Sequence, residues 1–268
     1  MKVIEIYDKN SIILDHGKNV FKTMDYYLRK FPESYRKCYD KNLETLELLK
    51  VDRLNDASLN GLYIPEDNII IFEKNYSLGH ELFHMCSNDR DNEQFAFESA
   101  LEIEDGLIEG MTEYHHMKAF GLKEPGAYSF EVFTVTMLEN IPNLFESFFV
   151  PKTKGILDVC PNRKALYGLL YSLSMYNDML LKYLAATYTD EDALFSMTEV
   201  KRTIKHTIDN LISIELTVEK NEHNLKEYSE KFMGLISSSF VGDVLPELYP
   251  NYDEYAEKQL KKRIKERI

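Results

Sequence analysis

The chain has 268 residues, enough for one large domain or for a catalytic domain with a helical appendage, and its 44% hydrophobic and 29% charged content excludes a disordered or fibrous protein. A formal net charge of −13 argues against a nucleic-acid binder, because tracking phosphates requires concentrated Lys and Arg. Three scattered cysteines, Cys38, Cys86 and Cys160, make neither a disulfide framework nor a four-cysteine zinc site and fit a reducing compartment.

The N-terminus starts Met1-Lys2, but Glu5 and Asp8 interrupt any apolar core, so no secretory leader is expected. No uninterrupted apolar run of about 18 residues predicts a membrane span. These features predict a cytoplasmic protein.

In chain order, Val3 to Tyr7 reads as a short strand, and Leu43, Leu46 and Leu49 show helical spacing in a segment expected to pack as α/β. Gly61 to Ile64 and Asn68 to Glu73 are β-rich runs around the turn formers Pro65, Glu66, Asp67 and Asn68, which predicts a hairpin. Ser77 is a plausible N-cap for a helix carrying Leu78, Leu82, Phe83 and two histidines. The polar stretch Asn88 to Asn92 ends it, and Phe95 to Ile103 is ambiguous between strand and extended chain.

A second helix is expected from about Gly106 to Phe120, stopped by Gly121, Pro125 and Gly126. Beyond Tyr128 the pattern is helical: Phe130 to Phe149 with a break at Pro142, Lys164 to Thr187, and a stripe of Val200, Ile204, Ile208, Leu211 and Ile212. Leu166, Leu169, Leu170, Leu173 and Tyr176 read as core. The basic C-terminal helix places Leu260, Ile264 and Ile268 on one stripe and reads as docked on the acidic body. Pro151 to Pro161 is the best boundary, so the expected organisation is a core over 1–150 and a helical subdomain over 151–268. The predicted fold class is α+β and predominantly helical, a small sheet or hairpin followed by a helical bundle.

The chemistry lies in Gly79-His80-Glu81-Leu82-Phe83-His84, an HExxH pattern. Histidines one helical turn apart project from one face and can share a zinc ion, with the intervening glutamate beside the metal's open position. A catalytic zinc needs a third protein ligand. Gly106-Leu-Ile-Glu-Gly-Met-Thr-Glu-Tyr114 supplies Glu109, whose neighbour Gly110 would let this helix approach the histidine helix; Glu113, one turn on, is the rival ligand or an outer partner orienting a ligand histidine. Glu93 is a weaker rival, read as exposed, and Cys86 reads as a small buried residue at the helix end. His16, His206 and His223 have no ligand-like spacing. His115 and His116 point in different directions, so at most one can face the metal. No GxGxxG, Walker or GxSxG motif competes.

These segments resemble the gluzincins, metallopeptidases in which HExxH on one helix is completed by a glutamate on the next. The likeness covers roughly residues 60 to 135, and IEGMTEY is similar to the NEG(L/F)TEY stretch of bacterial members, with Ile108 in place of the asparagine. The resemblance implies a zincin-like core, one Zn2+ per chain on His80, His84 and Glu109, Glu81 as general base, a peptide or protein substrate, and an edge strand at Asn68 to Phe72 that aligns it. A further donor would stabilise the oxyanion; Tyr114, His115, His116 and Tyr128 remain open, with Tyr128 and His115 taken beside Glu81 as catalytic candidates. The alternative is a zinc-containing scaffold that binds a partner through its helical half without cutting it.

Overall fold

A computed structural model of the chain describes residues 1–55, 59–96, 103–151, 156–185, 190–218, 222–238, 241 and 249–267. The fold is mixed α+β: a small mixed sheet in the N-terminal part, followed by a helical bundle. The chain divides into two compact units. One comprises Met1–Phe97, Thr112–Lys123 and Phe145–Thr153; the other comprises Glu98–Met111, Glu124–Leu144 and Lys154–Ile268.

In the first unit, β1 (Val3–Tyr7), β4 (Glu47–Val51), β6 (Ile69–Phe72) and β5 (Gly61–Ile64) form a sheet in the order β1-β4-β6-β5. β4 runs parallel to β6 and antiparallel to β1, and β5 pairs with β6 as the antiparallel hairpin expected from the turn residues. Two sequence expectations change here. Leu49 lies in β4 rather than on a helical stripe, because the helix ends at Thr45 and Leu46 is already extended. The strand at 69–72 is interior, paired on both sides, so it cannot accept a substrate strand; the sheet edge next to it is β5.

Two short helices pack on this sheet unit. α1 (Val20–Leu28) buries Val20, Met24, Tyr27 and Leu28 at helical spacing, and the Asn19 side chain caps it by accepting from the Lys22 amide at 3.0 Å. α2 (Lys37–Thr45) places Asn42 beneath the histidine helix α3 (Leu78–Cys86), where its Nδ2 donates to the carbonyls of Met85 at 3.0 Å and Asn88 at 2.7 Å. One buried amide thus ties the last turn of α3 to the Asn88 carbonyl just beyond it. The minor hairpins are β2–β3 (Leu14–Asp15, Lys18–Asn19) and β7–β8 (Asn88–Asp89, Gln94–Phe95). The ambiguous stretch from Phe95 becomes strand only at its start, and 97–102 lies outside the described residues.

α4 (Asp105–Phe120) starts and ends where the sequence indicated, with Gly121 at φ +70 as the left-handed stop. α5 (Ser129–Leu138) and α6 (Leu144–Phe149) follow, separated as Pro142 requires. The second unit is dominated by α7 (Arg163–Ala185), α8 (Asp190–Val218), α9 (Glu222–Ile236) and α10 (Tyr252–Arg267). Leu166, Leu169, Leu170 and Leu173 of α7 and Val200, Ile204, Ile208 and Ile212 of α8 are all fully buried. Leu260 of α10 is buried as expected, while Ile268 lies outside the described residues. No helix among the described residues is long and apolar enough to cross a membrane.

Candidate metal centre

All nine residues of α3 are buried, including His80, Glu81 and His84. Such a helix needs its polar groups paired from outside, and the partners come from distant segments. Ser77 precedes the helix but does not cap it; its hydroxyl donates to the carbonyls of Asn60 and Lys74. The Gly79 amide in the first turn instead donates to Asp15 Oδ2 at 3.0 Å, from 64 positions away. A carboxylate there also suits the positive end of the helix.

Glycine at 79 is required for this arrangement. A Cβ would stand 2.5 Å from Asp15 Oδ2 and 2.8 Å from both His116 Cδ2 and Phe120 Cε2. The close approach of α3 and α4 therefore runs through Gly79, not through Gly110 as the sequence suggested. Gly110 clears α5, where a Cβ would meet the Glu131 backbone at 2.8 Å. Glu109, the residue before it, is turned about 100° away around the helix, so the two positions face different neighbours.

His80 Nδ1 lies 2.9 Å from Glu113 Oε2, and His84 Nδ1 lies 3.3 Å from the Thr112 hydroxyl. The remaining nitrogens, His80 Nε2 and His84 Nε2, face each other at 3.2 Å. Glu113 is only an acceptor when ionised, and burial, which opposes its charge, is overcome by hydrogen bonds from His116 and His80 that hold its carboxyl well below the usual range. A carboxylate acceptor at this position calls for a proton on His80 Nδ1, which leaves Nε2 as the nitrogen that carries the lone pair.

Among the described residues, His80, His84 and Glu109 place ligand atoms within 4.8 Å of one another, as a metal ion requires. Zinc fits this set. Two nitrogens each at 2.0–2.1 Å from a tetrahedral zinc would stand about 3.3 Å apart, close to the separation seen. Both outer nitrogens already have the partners that orient ligand histidines. Glu113, the rival ligand, has its Oε2 on the outer nitrogen of His80, and with His80 and His116 it forms another group whose ligand atoms lie within 4.8 Å of one another. Glu81 is buried beside Gly61 of β5, where a Cβ would lie 2.7 Å from its Oε1.

The other predicted residues divide sharply. His115 is fully buried in an aromatic box, its ring 4.7 Å from that of Phe149, 4.9 Å from Phe145 and 5.8 Å from Phe83. The Tyr27 hydroxyl lies 2.8 Å from its Nδ1, its Nε2 has no hydrogen-bond partner among the described residues, and burial pushes its pKa down to about 3. It belongs to none of the metal-competent groups, and neither His115 nor His116 is a surface residue. Tyr128 begins α5 as expected, in a left-handed conformation at φ 53. Glu93 is exposed and Cys86 fully buried, as their sequence context indicated. Glu131 is a fully buried carboxyl that burial pushes up to about 8, against its backbone hydrogen bond and with the charge of Glu109 adding to the rise.

Sequence reasoning missed Asp15 and Thr112, set His16 aside for want of ligand-like spacing, and left His116 open, whereas Asp15, His16 and His116 come together in the fold. Asp15 Oδ2 sits 3.1 Å from His116 Nε2, and His116 Nδ1 sits 3.2 Å from Glu113 Oε2. Burial disfavours an imidazolium here, but the two carboxylates raise its pKa above the ordinary value. Contacts across 64 and 101 positions leave no local signature. The chain matches no protein-family model, no curated protein and no solved structure, so what the centre does is argued from its own geometry.

Proposed function

We propose that the chain is a zinc-dependent peptidase, with His80, His84 and Glu109 as ligands and Glu81 as general base. The observation that carries this reading is the pair of facing Nε2 atoms at 3.2 Å, with Glu109 within ligand reach and each outer nitrogen engaged. A purely structural site would have no use for Glu81 on the same helix, one residue from the first ligand.

Zinc, when bound, would supply Lewis acidity toward a carbonyl oxygen and make water a stronger acid. Glu81 takes the proton from the attacking water at its carboxylate and passes it to the leaving amide nitrogen. Gly61 keeps β5 close enough to confine that carboxylate. As the sheet's terminal strand beside Glu81, β5 can align an extended peptide through its backbone, which gives affinity without demanding one side-chain sequence. Glu113 and Thr112 hold the two imidazoles in the tautomer and rotation that ligation needs.

The test is chelator-sensitive cleavage of a mixed peptide pool by wild type and by Glu81→Gln. The variant should keep its metal and lose about 10²- to 10⁴-fold in rate, the usual worth of a positioned acid/base group. Undiminished cleavage by Glu81→Gln would sink the reading. So would a zinc-loaded wild type that leaves the whole pool intact.

A further inference from the structure

We propose that Asp15, His16 and His116 form a second site for a divalent transition-metal ion of the zinc class, half open to solvent and separate from the His80, His84 and Glu109 set. Their ligand atoms all lie within 4.8 Å of one another. This site does not depend on the peptidase reading, because only its neighbour Glu113 is shared.

Asp15 is completely buried, and its two oxygens are used unequally. Oδ2 accepts from the Gly79 amide and faces His116 Nε2, whereas Oδ1 has no hydrogen-bond partner among the described residues. A buried carboxylate oxygen left without a donor is costly, so the arrangement calls for a cation. His16 Nε2 lies 3.6 Å from Oδ1, beyond hydrogen-bond range but suited to share an ion with it.

His116 is oriented as a ligand should be. Glu113 Oε2 lies 3.2 Å from its Nδ1 and 2.9 Å from His80 Nδ1, so one carboxylate oxygen positions two imidazoles. Each then turns its Nε2 toward a different donor group. This is the carboxylate–histidine–metal arrangement used twice about a single glutamate.

The third ligand is held by an unusual turn. His16 and Gly17, at φ 46 and 75, are the two central residues of the β2–β3 hairpin, in a turn that favours Asn or Gly at the first position. A histidine tolerates that backbone less well, yet here its ring comes to 5.8 Å from the His116 ring while its side chain stays 40% exposed. Two imidazoles and one carboxylate suit zinc, cobalt or nickel, whereas calcium and magnesium prefer all-oxygen sets. A bound ion would tie the hairpin to the start of α3 and to α4.

The experiment counts metal on full-length protein, stripped with chelator and then equilibrated with zinc. The variants are His16→Asn, which suits the left-handed turn and removes the imidazole, and His84→Ala, which touches only the first site. We expect about two zinc per wild-type chain, about one in each single variant, and none in the double variant, as two independent three-ligand sites require. A wild type that holds no more zinc than His16→Asn overturns the second site, whatever His84→Ala does. If His16→Asn loses one equivalent while His84→Ala loses none, the second site stands and the first reading fails. Asp15→Ala is uninformative by itself because Asp15 also caps α3, which is why the exposed His16 carries the test.

Discussion

His115 and His116 are neighbours on one helix, yet they occupy opposite chemical worlds. His115 sits among Phe145, Phe148, Phe149 and Phe83 with one polar contact, to Tyr27. His116 lies between two carboxylates, with both ring nitrogens engaged. The pKa of the first is pushed down and that of the second is raised, though both are buried. Burial alone therefore does not decide a histidine's charge; what decides it is whether the surroundings can answer that charge. The helix rotation of about 100° per residue delivers the two environments from adjacent letters of sequence.

The largest expected effect comes from the apolar side. His115 is neutral in the folded chain down to about pH 3, whereas unfolded it accepts a proton near 6.5. Between those values the unfolded state binds more protons, so stability falls as pH drops through the window, by up to about 1.4 kcal/mol per pH unit from this residue. His115→Phe should flatten that acid slope, measured by urea unfolding at pH 7 and pH 4.5. It should also lower stability at pH 7 by about 1–3 kcal/mol, because Tyr27 loses its buried partner. An unchanged slope would mean that His115 is not the buried neutral group described.

That contrast also marks what the sequence could disclose. The HExxH helix, the hairpin before it and the span of α4 were legible because their signals are local: a one-turn spacing, a turn cluster, a glycine stop. Glu109 was singled out by the glutamate-glycine segment, although Gly110 clears α5 and not the histidine helix. The order of the sheet was not legible, because β4 enters beside β6 by a parallel pairing that no hairpin signal announces, and the edge moved from 69–72 to β5. Likewise Asp15 and His16 lie in a two-residue hairpin far from the motif, and only folding brings Asp15 to Gly79 and His116.

On the polar side, Glu113→Gln should weaken zinc binding by about 10- to 100-fold, as losses of outer partners usually do. The amide can still accept from one histidine but lacks the carboxylate's charge and cannot serve both imidazoles from one oxygen as well, so the loss should exceed what one neutral hydrogen bond is worth. Competition with a chromophoric chelator measures it. If affinity is unchanged while His84→Ala loses the zinc of the first site, Glu113 serves the fold and not the metal. A complete loss matching that of Glu109→Ala would instead make Glu113 a direct ligand.

The smallest effect sharpens the same question at the second histidine. Thr112 reaches His84 Nδ1 at 3.3 Å, a longer contact than the 2.9 Å between Glu113 and His80, and it is neutral. Neutral hydrogen bonds contribute about 0.5–1.5 kcal/mol net, so Thr112→Val should cost roughly two- to tenfold in zinc affinity. Valine keeps the branched shape in a fully buried position, so the fold should tolerate it apart from the lost hydroxyl. A loss as large as that of Glu113→Gln would show that orientation, more than charge, governs how these histidines hold the ion. A smaller loss assigns the difference to charge, the property that separates His116 from His115 on the same helix.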